Sequence, residues 1–129
     1  MQEPKFVADL MTREVLTLNE EDNLADLEHG MQRERIRHLP VVDGRKLVGL
    51  ITHRDLLRAA AHHVGSSAFA AQLMTREITT VTPETTLGDA ARILAENKFG
   101  CLPVVGADGD LVGIVTEHDF VKLMAMRAP

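Results

Sequence analysis

Apolar residues fall along this chain with two alternating kinds of order. Leu87, Ala90, Ala91 and Leu94 recur at i, i+3, i+4 and i+7, the stripe of a helix lying on a core. Leu24, Leu27 and Met31 repeat that stripe earlier, with Glu28 in place of one apolar residue and Gly30 making the helix less regular. The runs Leu39-Pro40-Val41-Val42 and Leu47–Ile51 have the length and composition of buried strands, as do Leu102-Pro103-Val104-Val105 and Leu111–Val115. Asp43-Gly44 and Asp108-Gly109-Asp110 between them are hairpin signals. Short strands are predicted over Glu14–Leu18 and Glu77–Val81, ahead of the stripes. Helices are predicted after the hairpins, from Asp55 to about His62 and from Asp119 to about Met126.

These blocks are one block written twice. Leu10-Met11-Thr12-Arg13-Glu14 returns 63 residues later as Leu73-Met74-Thr75-Arg76-Glu77, and Leu39–Val42 returns at the same offset as Leu102–Val105. Leu47-Val48-Gly49-Leu50-Ile51-Thr52 returns 64 residues later as Leu111–Thr116. The extra residue falls in the hairpin turn, where loops tolerate a change of length. The order β-α-β-β-α, twice, predicts an α/β fold of two repeats packed with pseudo-two-fold symmetry. Residues 1–62 form the first repeat, 63–68 a linker and 69–129 the second. A repeat of that size buries too little to be stable alone, so each needs the other. Apolar Phe120, Leu123 and Met124 on the last helix point further, to a homodimer.

Composition narrows the function. Among 129 residues, 45% are hydrophobic and only 3% aromatic, with no Trp or Tyr, so the aromatic stacking platforms of single-strand nucleic-acid binders are missing. A net charge of −5 disfavours nucleic acid and anionic membranes as partners. Cys101 is the single cysteine, which excludes an intrachain disulfide and a four-cysteine zinc site. The opening MQEPKFVADLMTRE lacks the pattern of a secretory signal, and no apolar run approaches the ~18–20 residues of a membrane span. A cytoplasmic location is expected. His62-His63 are adjacent and so do not share a helix face, and His29 is expected on an exposed one. Without a His-Glu-x-x-His pattern or paired Cys-His spacing, no metal site is expected.

The segments with chemical interest are Thr52-His53-Arg54-Asp55 and Thr116-Glu117-His118-Asp119. Thr-x-x-Asp before an apolar helix is a capping arrangement, with the hydroxyl bonded to the N3 amide and the acid suited to the helix dipole. The same place offers ligand chemistry. Helix N-terminal amides and a hydroxyl hold phosphate, and a carboxylate accepts hydrogen bonds from a ribose diol. Both readings stand at this level.

The full pattern is Leu-Met-Thr at the start, Leu-Pro-Val-Val in the middle and Gly followed by two apolar residues and Thr-x-x-Asp at the end. It resembles the CBS domain, and its duplication resembles a tandem CBS pair, or Bateman module, over about Phe6 to Met126. The resemblance implies clefts between the repeats that bind an adenine nucleotide such as AMP or ATP, or a related adenosyl ligand, as effector. It implies no resident cofactor, assembly as a dimer, and regulation of a partner protein. Carried over onto this sequence, one cleft would combine Thr52, Arg54 and Asp55 with Thr80 and Phe99, and place Arg37 and His38 near the phosphates. The other would combine Thr116, His118 and Asp119 with Thr17 and Ile36. The first is the more basic, since Arg37, His38, His53 and Arg54 face Gly100, Cys101, Glu117 and His118 at corresponding positions. A di- or triphosphate should therefore prefer the Asp55 cleft. No Gly-x-Gly-x-x-Gly, phosphate-binding loop or Gly-x-Ser-x-Gly is present, and Cys101 lacks a neighbouring base, so an enzyme is not expected. The alternative from another class is a constitutive structural adaptor whose clefts stay empty.

Overall fold

The computed structural model describes residues 3–23, 25, 38–61 and 68–127. The helix expected across Leu24, Leu27, Glu28 and Met31 lies outside the described residues, as do most of the linker, His29, His62, His63, Ile36 and Arg37. The chain divides into two compact units, and they do not coincide with the sequence repeats. One is Leu16–Ile78; the other joins Met1–Val15 to Thr79–Pro129.

In the continuous unit, β1 (Leu18–Asn19), β2 (His38–Asp43) and β3 (Lys46–Thr52) form a sheet in that order, with β1 parallel and β3 antiparallel to β2. Val41 and Val42 serve both neighbours, and Leu39 to Val42 are all buried. This explains an uninterrupted apolar run where a one-sided sheet would alternate. β1 reaches only Val41 and Val42, so the N–H that Pro40 lacks costs no bond to it. Asp43 pairs with Lys46 across a two-residue turn begun by Gly44, whose φ of 64° is open to glycine at no steric cost. Helices α2 (His53–Ala61) and α3 (Ala70–Leu73) follow. Ala70 and Met74 join Leu39, Val41, Ile51 and Leu56 in the core.

The second unit repeats the plan from two stretches of chain. It comprises α1 (Val7–Leu10), α4 (Leu87–Asn97), the hairpin of β4 (Cys101–Val105) and β5 (Leu111–Thr116), and α5 (Glu117–Arg127). Its core holds Val7, Met11, Val81, Ala90, Leu94, Leu102, Val104 and Val115. The expected stripe on α4 is observed: Ala90 and Leu94 are buried, Leu87 and Ala91 half-buried. Thr86 caps that helix, its hydroxyl accepting from Asp89 N at 3.2 Å, and Lys98 ends it in a left-handed conformation.

Three expectations are corrected. The strands over Glu14–Leu18 and Glu77–Val81 shrink to Leu18–Asn19 and to a single bridge from Val81 to Val104. Their first residues make no ladder pair among the described residues, and a side-chain turn follows each: Asp22 accepts from Asn19 N at 2.9 Å, and Thr85 Oγ1 from Thr82 N at 3.1 Å. The helices after the hairpins begin two residues early, at His53 and Glu117, because the strand runs directly into a cap. Of the three apolar positions expected on the surface of α5, Phe120 packs against its own core and Leu123 is half-buried, leaving Met124 exposed beside Val121 and Met126.

The Leu-Met-Thr segments explain the division into units. Thr12 and Ile114 exchange backbone bonds of 2.9 and 3.0 Å, and Val7 N donates to Thr85 O at 2.8 Å. Thr75 does the same with Leu50, at 2.9 and 3.0 Å. Each segment thus completes the sheet of the other repeat. Glycine makes the approach possible. A Cβ at Gly113 would lie 2.7 Å from the Met11 sulfur and 2.9 Å from Thr12 O, and one at Gly49 would overlap the Met74 side chain. No helix among the described residues is long and apolar enough to cross a membrane.

Candidate functional site

Each unit carries one strand-to-helix junction of nearly the same geometry. In the unit Leu16–Ile78, β3 ends at Thr52 and α2 starts on the next residue. The Thr52 hydroxyl accepts from Asp55 N at 3.2 Å and donates to Asp55 Oδ2 at 3.1 Å, while Thr52 N donates to the same oxygen at 2.8 Å. Three bonds close a capping box in which the acid sits at N3. In the other unit, Thr116 N and Oγ1 donate to Asp119 Oδ2 at 2.8 and 3.2 Å, and Asp119 N donates to Thr116 Oγ1 at 3.4 Å.

The capping reading of both motifs is therefore observed. It leaves the ligand reading room, because only Oδ2 of each carboxylate is spent, and an ionised carboxylate has further acceptor capacity. The cap also holds each carboxylate on a packed element before any ligand arrives.

The remaining expected residues are distributed as follows. At the Asp55 junction, His38 is the register partner of Thr52 across β2 and β3, and His53 and Arg54 are exposed; Thr17, in the same unit, is half-buried just before β1. At the Asp119 junction, Cys101 is the register partner of Thr116, and Glu117 and His118 are exposed; Thr80, in the same unit, is exposed just before Val81. Phe99 is half-buried and packed against the core of that unit, with its N–H bonded to Leu94 O at 3.2 Å. Of the residues expected together, Thr52, Arg54, Asp55 and His38 lie in the unit Leu16–Ile78, and Thr80 and Phe99 in the other.

The junctions differ in two respects. His38 stands where the other has Cys101, so the imidazole and the thiol occupy matching strand positions. Asp55 is buried, at 7% exposure, and its Oδ1 lies 3.9 Å from Nη1 of Arg58. Asp119 is half-buried. Arg58 did not figure among the sequence candidates, although the i, i+3 spacing from Asp55 was there to be read.

Burial pushes the Cys101 thiol up to about 12, which removes it as a nucleophile at neutral pH. Iodoacetamide at pH 8 is expected to leave Cys101 largely unmodified in the native protein and to alkylate it rapidly in 6 M guanidinium, as peptide mass spectrometry would record. Equal rates would contradict the burial. Among the described residues, no group of three or more His, Cys, Asp or Glu side chains could hold a metal ion.

Comparison with known proteins adds context to this geometry. The model of the CBS domain matches residues 7–62 and again 70–126. The crystal structure of CBSX2 in complex with AMP superposes with a TM-score of 0.87 at 32% identity, covering 95% of this chain and 97% of that one. The CBS domain pair of protein MJ0100, in complex with 5-methylthioadenosine and S-adenosyl-L-methionine, also gives 0.87, at 27% identity, covering 95% and 98%. An inosine-5'-monophosphate dehydrogenase of Korarchaeum cryptofilum is 37% identical over 115 residues, which are 89% of this chain and 23% of the dehydrogenase. The chain spans about a quarter of the length of the dehydrogenases that it matches.

Proposed function

Because the chain belongs to the CBS-domain family and carries that domain twice, we propose that it is a regulatory ligand sensor. It binds an adenine nucleotide such as AMP or ATP, or a related adenosyl ligand, at its two Thr-x-x-Asp junctions. One observation carries the reading: each carboxylate is anchored through Oδ2 by its own threonine, and the cap makes no use of the second oxygen. The AMP and S-adenosyl-L-methionine complexes of similar CBS pairs support the ligand class.

In this reading Asp55 and Asp119 accept from ribose hydroxyls, and Thr52, Thr116 and the first amides of α2 and α5 lie nearest the phosphate. Arg37, His38 and Arg54 make the Asp55 junction the preferred place for charged nucleotides, with His118 alone in the corresponding role at Asp119. No chemical step is involved; the carboxylates bind and do not transfer protons. Ligand binding biases the population of the state that a partner protein reads, by the difference in its affinity for the two states. The protein works in the cytoplasm as a homodimer, its second copy covering the exposed Val121, Met124 and Met126 of α5.

Thermal unfolding in the presence of AMP, ATP, NAD or S-adenosylmethionine tests the ligand reading. A ligand at 100 times its Kd should stabilise the native state by about 2.7 kcal/mol, a shift of several degrees. Mass spectrometry of ligand released from freshly purified protein would identify it. No shift with any of the four would favour the adaptor with empty clefts.

A further inference from the structure

The two junctions make the same cap and differ at the oxygen that the cap leaves over. Asp55 Oδ1 lies 3.9 Å from the guanidinium of Arg58, one turn further along α2. The residue three positions after Asp119 is Lys122, which is exposed and makes no ion pair among the described residues. Asp55 itself is buried, while the Arg58 side chain is 64% exposed. The pair therefore joins a fixed acceptor to a cation that is free to reorient.

Resting on the nucleotide reading above, we propose that Arg58 is a specificity-determining residue, which makes the Asp55 junction select phosphate-bearing ligands over bare nucleosides. A ribose diol brings two donors. Oδ2 of either carboxylate already accepts two bonds from its threonine, so Oδ1 is the oxygen that the diol needs. At Asp119 no ion pair engages that oxygen among the described residues. At Asp55 the diol must share it with Arg58.

A nucleoside gives the guanidinium nothing in return for the carboxylate oxygen. A phosphate group does, because a planar guanidinium binds phosphate through two parallel N–H bonds, and its fork can engage two acceptors at once. The long exposed side chain makes that move without disturbing the helix. Lys122 at the equivalent position of the other junction is a point charge without the fork, and among the described residues it makes no ion pair with Asp119. One residue thus separates two junctions that share a cap.

Isothermal titration of the full chain with ATP and with adenosine tests this, using Asp119→Asn as background to silence the other junction while keeping an acceptor for Thr116 N. Arg58→Ala is expected to weaken ATP by about tenfold, the loss of a charge-assisted bond. Adenosine should change by no more than about twofold, the scale of an exposed i, i+3 pair, and in the direction of tighter binding. The ATP-to-adenosine preference then falls by about tenfold or more. Arg58→Lys, with charge but no fork, should recover less than half of the lost preference. A preference unchanged by Arg58→Ala, while binding persists, overturns the role of Arg58 and leaves the nucleotide reading standing. Failure of both ligands to bind the unaltered chain overturns that reading, and this proposal with it.

Discussion

Met11→Ala should destabilise the unit that contains residues 79–129, not the unit that contains its own repeat, by about 2–5 kcal/mol. Met11 is buried among Val81, Leu102, Val104 and Val115, all from the second repeat. Met74→Ala should act in the mirror sense, on the cluster of Leu39, Val41 and Ile51. Urea titration followed by methyl NMR separates the two: in Met11→Ala the native signals of Val104 and Val115 should be lost first, and in Met74→Ala those of Val41 and Ile51. Loss in the opposite order would refute the exchange of segments. The glycines supply a second arm of the test. Gly113→Ala alone should cost about 1–3 kcal/mol by overpacking. Combined with Met11→Ala it should cost at least about 1 kcal/mol less than the two single changes together, since the new methyl occupies space that the methionine has left.

Asp55→Ala should cost about 2–4 kcal/mol, against about 1 kcal/mol for Asp119→Ala. Both changes remove the acceptor for a threonine N–H and hydroxyl. The Asp55 carboxylate is buried where Asp119 is half-buried, so water replaces it less readily. Denaturant unfolding measures both, and equal costs would mean that the difference in burial has no energetic weight. Asparagine separates capping from binding. Asp55→Asn keeps an acceptor for Thr52 N and should cost about 1 kcal/mol or less. It loses the charged oxygen, so nucleotide binding at that junction should weaken by about tenfold. A fully stable Asp55→Asn variant that binds nucleotide normally would reduce the motif to a helix cap.

Much of this arrangement was legible in the residues. Asp43-Gly44 and Asp108-Gly109 marked both hairpins, and the stripe of Ala90 and Leu94 marked the buried face of α4. Thr52 with Asp55, and Thr116 with Asp119, announced the caps. What stayed hidden has a common cause: periodicity states which side of an element is buried, not what covers it. Leu-Met-Thr-Arg-Glu stands near the start of both repeats in identical form, so nothing in its composition assigns Met11 to one core and Met74 to the other. The close approaches at Gly49 and Gly113 were visible as glycines within strand runs, a mark of backbone contact without the identity of the partner. The first strands were overestimated because β-branched composition marks extended backbone, not whether a neighbouring strand lies within reach of it: only Leu18, Asn19 and Val81 find a partner. Phe120 looked like free surface because its core, assembled in part from Val7 and Met11 far away in sequence, was not yet in view.

The exchanged segments also impose an order on synthesis. The unit Leu16–Ile78 is continuous, so its core is complete once Met74 and Thr75 have left the ribosome. Val7 and Met11 emerge before that unit but find their partners after it, since β5 and its Ile114 are made about a hundred residues later. Until then two side chains of the native core stay uncovered on a nascent chain, a state in which apolar surface invites chaperones or misassociation. The N-terminal half of the chain should therefore fold early, and the first dozen residues should wait for the end.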